Sequence, residues 1–219
     1  MKIRLIQKDI GNPDYRRFLD EAVGSHADIV CFPELTTSGC LYDGGQGVDF
    51  EELARVLREY PFAVFIGFPR SHEGRLYNSY MYFHGGEYQI YDKINLFEPM
   101  NEASVYTPGS APGLIQSVFG VLGVATCYDL RFPELFNRLA IRGAKMIFVP
   151  SAFPRVRVGD FKELIVQRAI ENSIWVVGIN AVGDDGVNEF GGSSMVADPD
   201  GQVLAQADET SETVLDVTI

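Results

Sequence analysis

Gly123-Val124-Ala125-Thr126-Cys127-Tyr128-Asp129-Leu130-Arg131-Phe132-Pro133-Glu134-Leu135 is the stretch that decides how this chain folds. The apolar residues up to Thr126 read as a strand. Pro133 opens a helix, because its fixed φ and missing N–H suit a first helical position. Cys127 therefore stands at a strand-to-helix corner. Such a corner lifts a side chain above the sheet edge while the first N–H groups of the turn point the same way, ready to hold an oxyanion.

A free thiol has a pKa of about 8.5 and is only slightly ionised at neutrality, so attack by Cys127 requires a base. The three histidines sit poorly for that work: His26 precedes a strand, His72 lies in Ser71-His72-Glu73-Gly74, and His84 begins a turn. A carboxylate is the better candidate. Glu34 follows the apolar run Asp28-Ile29-Val30-Cys31-Phe32, and Pro33 stops the ladder one residue before it. That puts it at a carboxyl strand end, where α/β sheets assemble their sites.

In Tyr88-Gln89-Ile90-Tyr91-Asp92-Lys93, alternation places Gln89, Tyr91 and Lys93 on one face. An ammonium at Lys93 would stabilise a tetrahedral oxyanion. Glu134 repeats the Phe-Pro-Glu-Leu wording of Glu34, but it falls in a first helical turn, where an acid complements the helix dipole. Cys31 reads as a small buried strand residue, and Cys40 as a residue of the pocket rim.

Further out, residues 3–7 and 28–32 read as strands, joined by a helix with Asn12 as cap and Pro13 at its first position. Tyr15, Phe18, Leu19 and Ala22 form the apolar stripe of that helix, and Gly24 ends it. The scheme recurs as a strand over 121–126, a helix from Pro133 to about Arg142 stopped by Gly143, and a strand over 145–149 ending at Pro150. A βαβ unit used twice predicts internal pseudo-symmetry.

Leu53, Val56, Leu57 and Tyr60 recur at helical spacing after Glu51-Glu52. Asp160 and Glu163 form a capping-box-like start for the stripe Phe161, Leu164, Ile165 and Ala169. Residues 80–83 and 87–91 make a hairpin around Gly85-Gly86. Strands alternating with helices, followed by strand pairs, predict an α/β fold of two facing mixed sheets with helices outside.

Phe32-Pro33-Glu34-Leu35, Tyr91-Asp92-Lys93 and the Cys127 stretch together resemble, in order and setting, the three signature segments of the nitrilase superfamily, the carbon-nitrogen hydrolases. The likeness continues through Phe148-Val149-Pro150-Ser151-Ala152-Phe153 and Gly191-Gly192-Ser193-Ser194 to about Ile219. It implies a four-layer αββα sandwich and a triad in which Glu34 is the general base, Lys93 stabilises the tetrahedral intermediate and Cys127 is the nucleophile. Glu102, in a stretch where related enzymes carry a second glutamate, would orient Lys93 or the substrate amide. The Tyr128 backbone N–H would share the oxyanion, and no metal or organic cofactor is required.

The wording around Cys127 is most similar to the omega-amidase and deaminated-glutathione amidase branch, which implies a small 2-oxo acid amide as substrate. Its carboxylate would want an arginine, with Arg131, Arg155 and Arg157 as candidates, between the apolar walls Tyr42 and Phe153. An N-carbamoyl hydrolase, a non-catalytic binding module on the same fold and a redox-sensing thiol protein are the alternatives. Three departures stand out: Asp160-Phe161 where relatives often carry His-Trp, a shortened region around the first helix, and no carboxyl-terminal extension after Val214-Leu215-Asp216-Val217. Relatives commonly dimerise, so a homodimer or higher homo-oligomer is expected.

At 219 residues and 46% hydrophobic, one domain over 1–219 with a sizeable core is expected. A net charge of −12 argues against nucleic acid or an anionic membrane as partner. Three irregularly spaced cysteines make neither a disulfide framework nor a zinc site. Met1-Lys2-Ile3-Arg4-Leu5 enters a strand directly, without a signal-peptide core, and no apolar run is long enough to span a bilayer, so a reducing cytoplasm is expected.

Overall fold

Alternating apolar residues give this chain its sheets, and the computed structural model describes residues 1–39 and 47–219 of it. The first half runs β1 (Lys2–Gln7), α1 (Arg16–Ala22), β2 (Ile29–Cys31), α2 (Phe50–Leu57), β3 (Ala63–His72), β4 (Arg75–His84) and β5 (Glu87–Asp92). The second begins with β6 (Gly113–Ser117), β7 (Gly120–Val124), α3 (Pro133–Ile141), β8 (Met146–Ser151), α4 (Val158–Asn172) and β9 (Trp175–Asn180). It ends with β10 (Val182–Asp184), β11 (Glu189–Gly191), β12 (Met195–Ala197), β13 (Val203–Gln206) and β14 (Thr213–Thr218).

Two six-stranded sheets result, ordered β14-β1-β2-β3-β4-β5 and β13-β12-β9-β8-β7-β6. Each has three parallel central strands, β1, β2 and β3 in one and β7, β8 and β9 in the other. Each is flanked by one antiparallel strand on its first parallel strand and two beyond its third. The repeated βαβ unit thus appears as the same order of strands in both sheets, which is the pseudo-twofold arrangement expected from the sequence.

Ile3, Leu5, Cys31, Phe65, Val124, Phe148 and Val177 fill the space between the sheets. Phe65 and Phe148 stack across it with ring centroids 4.4 Å apart. On one outer face Phe18, Leu19 and Ala22 of α1 and Leu53, Ala54 and Leu57 of α2 cover Ile6, Val30 and Val64. On the other, Phe136 and Leu139 of α3 and Phe161, Ile165 and Ala169 of α4 cover Ile147, Val149 and Val176. Helices, sheet, sheet, helices: the four-layer αββα sandwich holds.

Three local expectations are corrected. Helix α1 begins at Arg16, not at Pro13, because Asn12 accepts the Asp14 N–H at 2.9 Å in a local turn that replaces the cap. Helix α4 begins at Val158, since a 3-10 turn over Arg155–Arg157 feeds straight into it; Asp160 lies within its first turn and caps nothing. Strand β8 passes through Pro150 to Ser151. Its pairing with β7 covers only Met146–Phe148, so a residue lacking an N–H is tolerated beyond that register.

Candidate active site

Four side chains converge at the carboxyl ends of strands from both sheets. Glu34 leaves β2 after Phe32, whose N–H bonds Phe65 O at 2.9 Å and whose carbonyl accepts the Tyr80 hydroxyl at 2.7 Å. The chain then turns sharply, with Leu35 in the left-handed region at φ 48°. Gly67 of β3 makes room for that turn: a Cβ there would lie 2.5 Å from Leu35 N and 2.7 Å from Pro33 O. The turn carries Glu34 inward until only 3% of it is exposed.

Lys93 follows β5, its own N–H donating to Asn78 O at 2.9 Å and its carbonyl accepting the Gly109 N–H at 2.8 Å. Gly109 is required for that approach, since a Cβ would stand 2.1 Å from Asp92 O. Glu102 opens a 3-10 turn over Glu102–Ser104 after Asn101, itself left-handed. Cys127 comes out of β7 at φ 48°, an uncommon conformation for a residue with a Cβ. A 3-10 turn over Cys127–Arg131 precedes α3, so the corner is one turn longer than a direct strand-to-helix junction.

The buried ammonium of Lys93 lies 2.9 Å from Glu34 Oε1 and 2.9 Å from Glu102 Oε2. Burial alone would push Lys93 down, but the two carboxylates outweigh it and hold the group well above its ordinary value, so it stays charged. Glu34 Oε2 accepts the Ala152 N–H at 3.1 Å, and the charge of the carboxylate acts on the neighbouring Cys127 thiol. Burial, followed by the charge of Glu34, raises the thiol well above its usual value despite the opposing pull of Lys93 and the Ala152 N–H. Cys127 at rest is therefore a neutral thiol beside a carboxylate rather than a preformed thiolate.

Two residues the sequence reading did not single out complete the cluster. Asn78, in mid β4, donates its Nδ2 to Glu34 Oε1 at 2.7 Å and to Glu102 Oε1 at 2.8 Å. The available signal was an amide within a strand of aromatic and apolar residues, where asparagine is depleted. Asp129 ties the Cys127 corner to the Lys93 segment. Its carboxylate accepts from Thr126 N at 2.8 Å, the Tyr91 hydroxyl at 2.6 Å, Asn95 N at 2.9 Å and Asn95 Nδ2 at 2.8 Å. Burial nonetheless raises its pKa above the ordinary carboxylate value, against the pull of these bonds. Its sequence mark is Thr126-x-x-Asp129, an acid three residues after a cap position.

A cavity of about 230 Å³ opens onto Lys93 and Cys127 and is walled by Phe97, Tyr128, Ala152, Phe153 and Phe190, with Arg131 and Arg157 on its lining. Phe153 is buried against Phe161, ring centroids 5.3 Å apart, and the Arg131 guanidinium lies over the Phe153 ring, 5.8 Å from its centroid. Arg131 is held by Asp160, Nη2 to Oδ2 2.6 Å, so the acid that replaces His-Trp in the sequence engages an arginine of the cavity. Arg155 lies outside the lining and pairs with Glu189. Tyr42 and Cys40 fall outside the described residues. None of His26, His72 and His84 lines the cavity, Glu134 is exposed on α3, and Cys31 is fully buried between the sheets.

Known proteins resemble this chain in sequence and in fold. The 2-oxoglutaramate amidase of Bacillus subtilis is 32% identical over 205 residues, covering 86% of this chain and 77% of that protein. The deaminated glutathione amidase of Dictyostelium discoideum is 38% identical over 124 residues, 52% of this chain and 43% of its own. Among solved structures, a CN-hydrolase superfamily protein from Xanthomonas campestris with an arsenic adduct in its active site superposes with a TM-score of 0.90 at 28% identity, covering all of this chain and 90% of the other. A mutant amidase from Nesterenkonia sp., showing Michael addition of acrylamide at the active site cysteine, superposes at 0.88 with 26% identity, over 100% and 93% of the two chains. Matched over residues 13–219, this chain belongs to the carbon-nitrogen hydrolase family.

Proposed function

We propose that this enzyme hydrolyses the terminal amide of a small carboxylic acid, such as a 2-oxo acid amide, through a thioester on Cys127 and with release of ammonia. The observation that carries the reading is that one carboxylate, Glu34, pairs with the Lys93 ammonium and acts on the Cys127 thiol beside it, where a cavity opens onto both Lys93 and Cys127. The similarity to 2-oxoglutaramate amidases supports the substrate class.

In this mechanism the thiol proton passes to Glu34 as Sγ bonds to the amide carbon. The oxyanion lies between Lys93 Nζ and the Tyr128 N–H, which stands at the start of a 3-10 turn where N–H groups have no intrahelical acceptor. Collapse breaks the C–N bond, and Glu34 returns the proton to the leaving nitrogen, giving ammonia and the thioester. A water then gives its proton to Glu34 and its oxygen to the acyl carbon. The second collapse frees the acid, and the proton goes back to Sγ. Glu102 and Asn78 position Lys93 and Glu34 throughout.

The reading extends to a homodimer or higher homo-oligomer, for which the exposed Ile141 of α3, Ile170 of α4 and Leu204 of β13 are the supporting apolar positions. Among the described residues no helix is long and apolar enough to cross a membrane. A catalytic thiol is best kept reduced in a cytoplasm. Intact-mass spectrometry during turnover of a short dicarboxylic acid monoamide tests the proposal. A transient acyl adduct on the wild type, absent in Cys127→Ala together with ammonia release, is expected. Undiminished ammonia release by Cys127→Ala would end it.

A further inference from the structure

The cationic side chains on the active-site cavity differ in one respect, their freedom to meet a substrate. Lys93 is committed to Glu34 and Glu102, and Arg131 to Asp160. Arg155, just outside the lining, is committed to Glu189. Arg157, on the same 3-10 turn as Arg155, lines the cavity, is exposed, and has no ion-pair partner among the described residues. We propose that Arg157 is the specificity-determining residue for this hydrolase, binding a carboxylate carried on the acyl chain away from the scissile amide. The inference rests on the amidase reading above and assigns the substrate's second functional group.

Three features of the cavity support it. The buried cluster of Glu34, Glu102 and Lys93 carries one surplus negative charge, in a protein of net charge −12, so an anionic substrate needs a free cation to enter. Asn188, on the loop between β10 and β11, also lines the cavity, and among the described residues its Nδ2 meets only the weakly accepting Met100 Sδ at 3.7 Å. A guanidinium and an amide N–H together make the donor set that a carboxylate takes. At about 230 Å³ the cavity is smaller than the usual ligand pocket of roughly 300–1,000 Å³, so the acyl chain is short. Phe153, Val156 and Phe190 provide apolar wall for its methylenes.

The test compares kcat/KM for glutaramate and for a neutral analogue in which a methyl ketone replaces the carboxylate, in wild type, Arg157→Met and Arg157→Lys. The wild type is expected to prefer the anionic amide. Arg157→Met is expected to lower kcat/KM for the anionic amide about 10- to 100-fold more than for the neutral one, in KM rather than kcat, and Arg157→Lys to restore part of the difference. An unchanged preference in Arg157→Met, or an equal loss on both amides, overturns the assignment while leaving amide hydrolysis intact. If the wild type hydrolyses neither amide and no acyl adduct forms on Cys127, the amidase reading fails and takes this one with it.

Discussion

Replacing Glu102 by glutamine removes one charge and almost no volume, and the structure gives a specific reason for it to be costly. All four contacts of that carboxylate come from donors: Asn78 Nδ2 at 2.8 Å and Lys93 Nζ at 3.1 Å on Oε1, Lys93 Nζ at 2.9 Å and Phe97 N at 2.6 Å on Oε2. In either orientation the new amide nitrogen faces two donors, so two hydrogen bonds are lost and two donor–donor contacts made. Hydrogen bonds to charged groups contribute about 1.5–3 kcal/mol each, and removing one partner of a buried ion pair costs about 3–5 kcal/mol. Lys93 keeps Glu34, so the lower part of that range applies, about 3 kcal/mol. For a chain of this size that is a Tm lower by about 6–12 °C. Urea unfolding followed through Trp175, the single tryptophan, gives the stability change. Ammonia release is expected to fall about 100- to 1,000-fold, as for loss of one oxyanion stabiliser, because Lys93 is then drawn toward Glu34. A Glu102→Gln protein with wild-type stability and turnover within threefold would refute the reasoning.

Two further perturbations separate positioning from chemistry. Gly67→Ala puts a Cβ 2.5 Å from Leu35 N, against backbone that cannot rotate away; a loss of at least about 2 kcal/mol and most of the activity is expected, and a wild-type melting curve would count against it. Lys8, 2% exposed, is pushed down to about 8 by burial, against partial support from Glu212 and Asp9. The folded state therefore binds this proton more weakly than the unfolded chain, whose lysine titrates near 10.5. Its destabilising contribution is full below pH 8 and is relieved as pH rises from about 8 towards 10.5, worth about 3 kcal/mol in all. Lys8→Met should then be more stable than wild type at pH 7 by about 2 kcal/mol, after loss of the Lys8 Nζ bond to Asp9 O, with the gap closing towards pH 10. A gap that does not change with pH would refute the linkage.

What the sequence made legible and what it hid have different physical origins. Strands and helices were readable wherever burial imposes a period, as in the stripe Phe18, Leu19 and Ala22 of α1 or the hairpin around Gly85-Gly86. Glu34, Lys93 and Cys127 drew notice in the sequence because each stands next to a proline or a strand end, whereas Glu102 was singled out only through the family resemblance. Helix starts were misread at Pro13 and Asp160, where a local Asx turn and an upstream 3-10 turn compete with the cap pattern. Asn78 escaped because one polar residue inside a strand carries no spacing signal until its fold partners are known. The Ala152 N–H escaped for a deeper reason: a backbone donor is the same in every residue but proline.

The charge arrangement explains why an acid that does no chemistry of its own belongs in this cluster. With the thiol protonated, Glu34, Glu102 and Lys93 sum to one negative charge. In the proposed mechanism, passing the thiol proton to Glu34 leaves that sum unchanged; the negative charge moves from carboxylate to sulfur, then to the carbonyl oxygen, beside the same ammonium each time. No new buried charge is created at any step, so the large desolvation cost of ionising a group in the interior is avoided. The raised pKa of Cys127 is then no obstacle, because its proton is exchanged with a neighbour and not with water. Glu102 meets the ammonium through two contacts, and the Asn78 Nδ2 donates to both acids. In the proposed mechanism the second glutamate holds the ammonium in place while the negative charge moves past it.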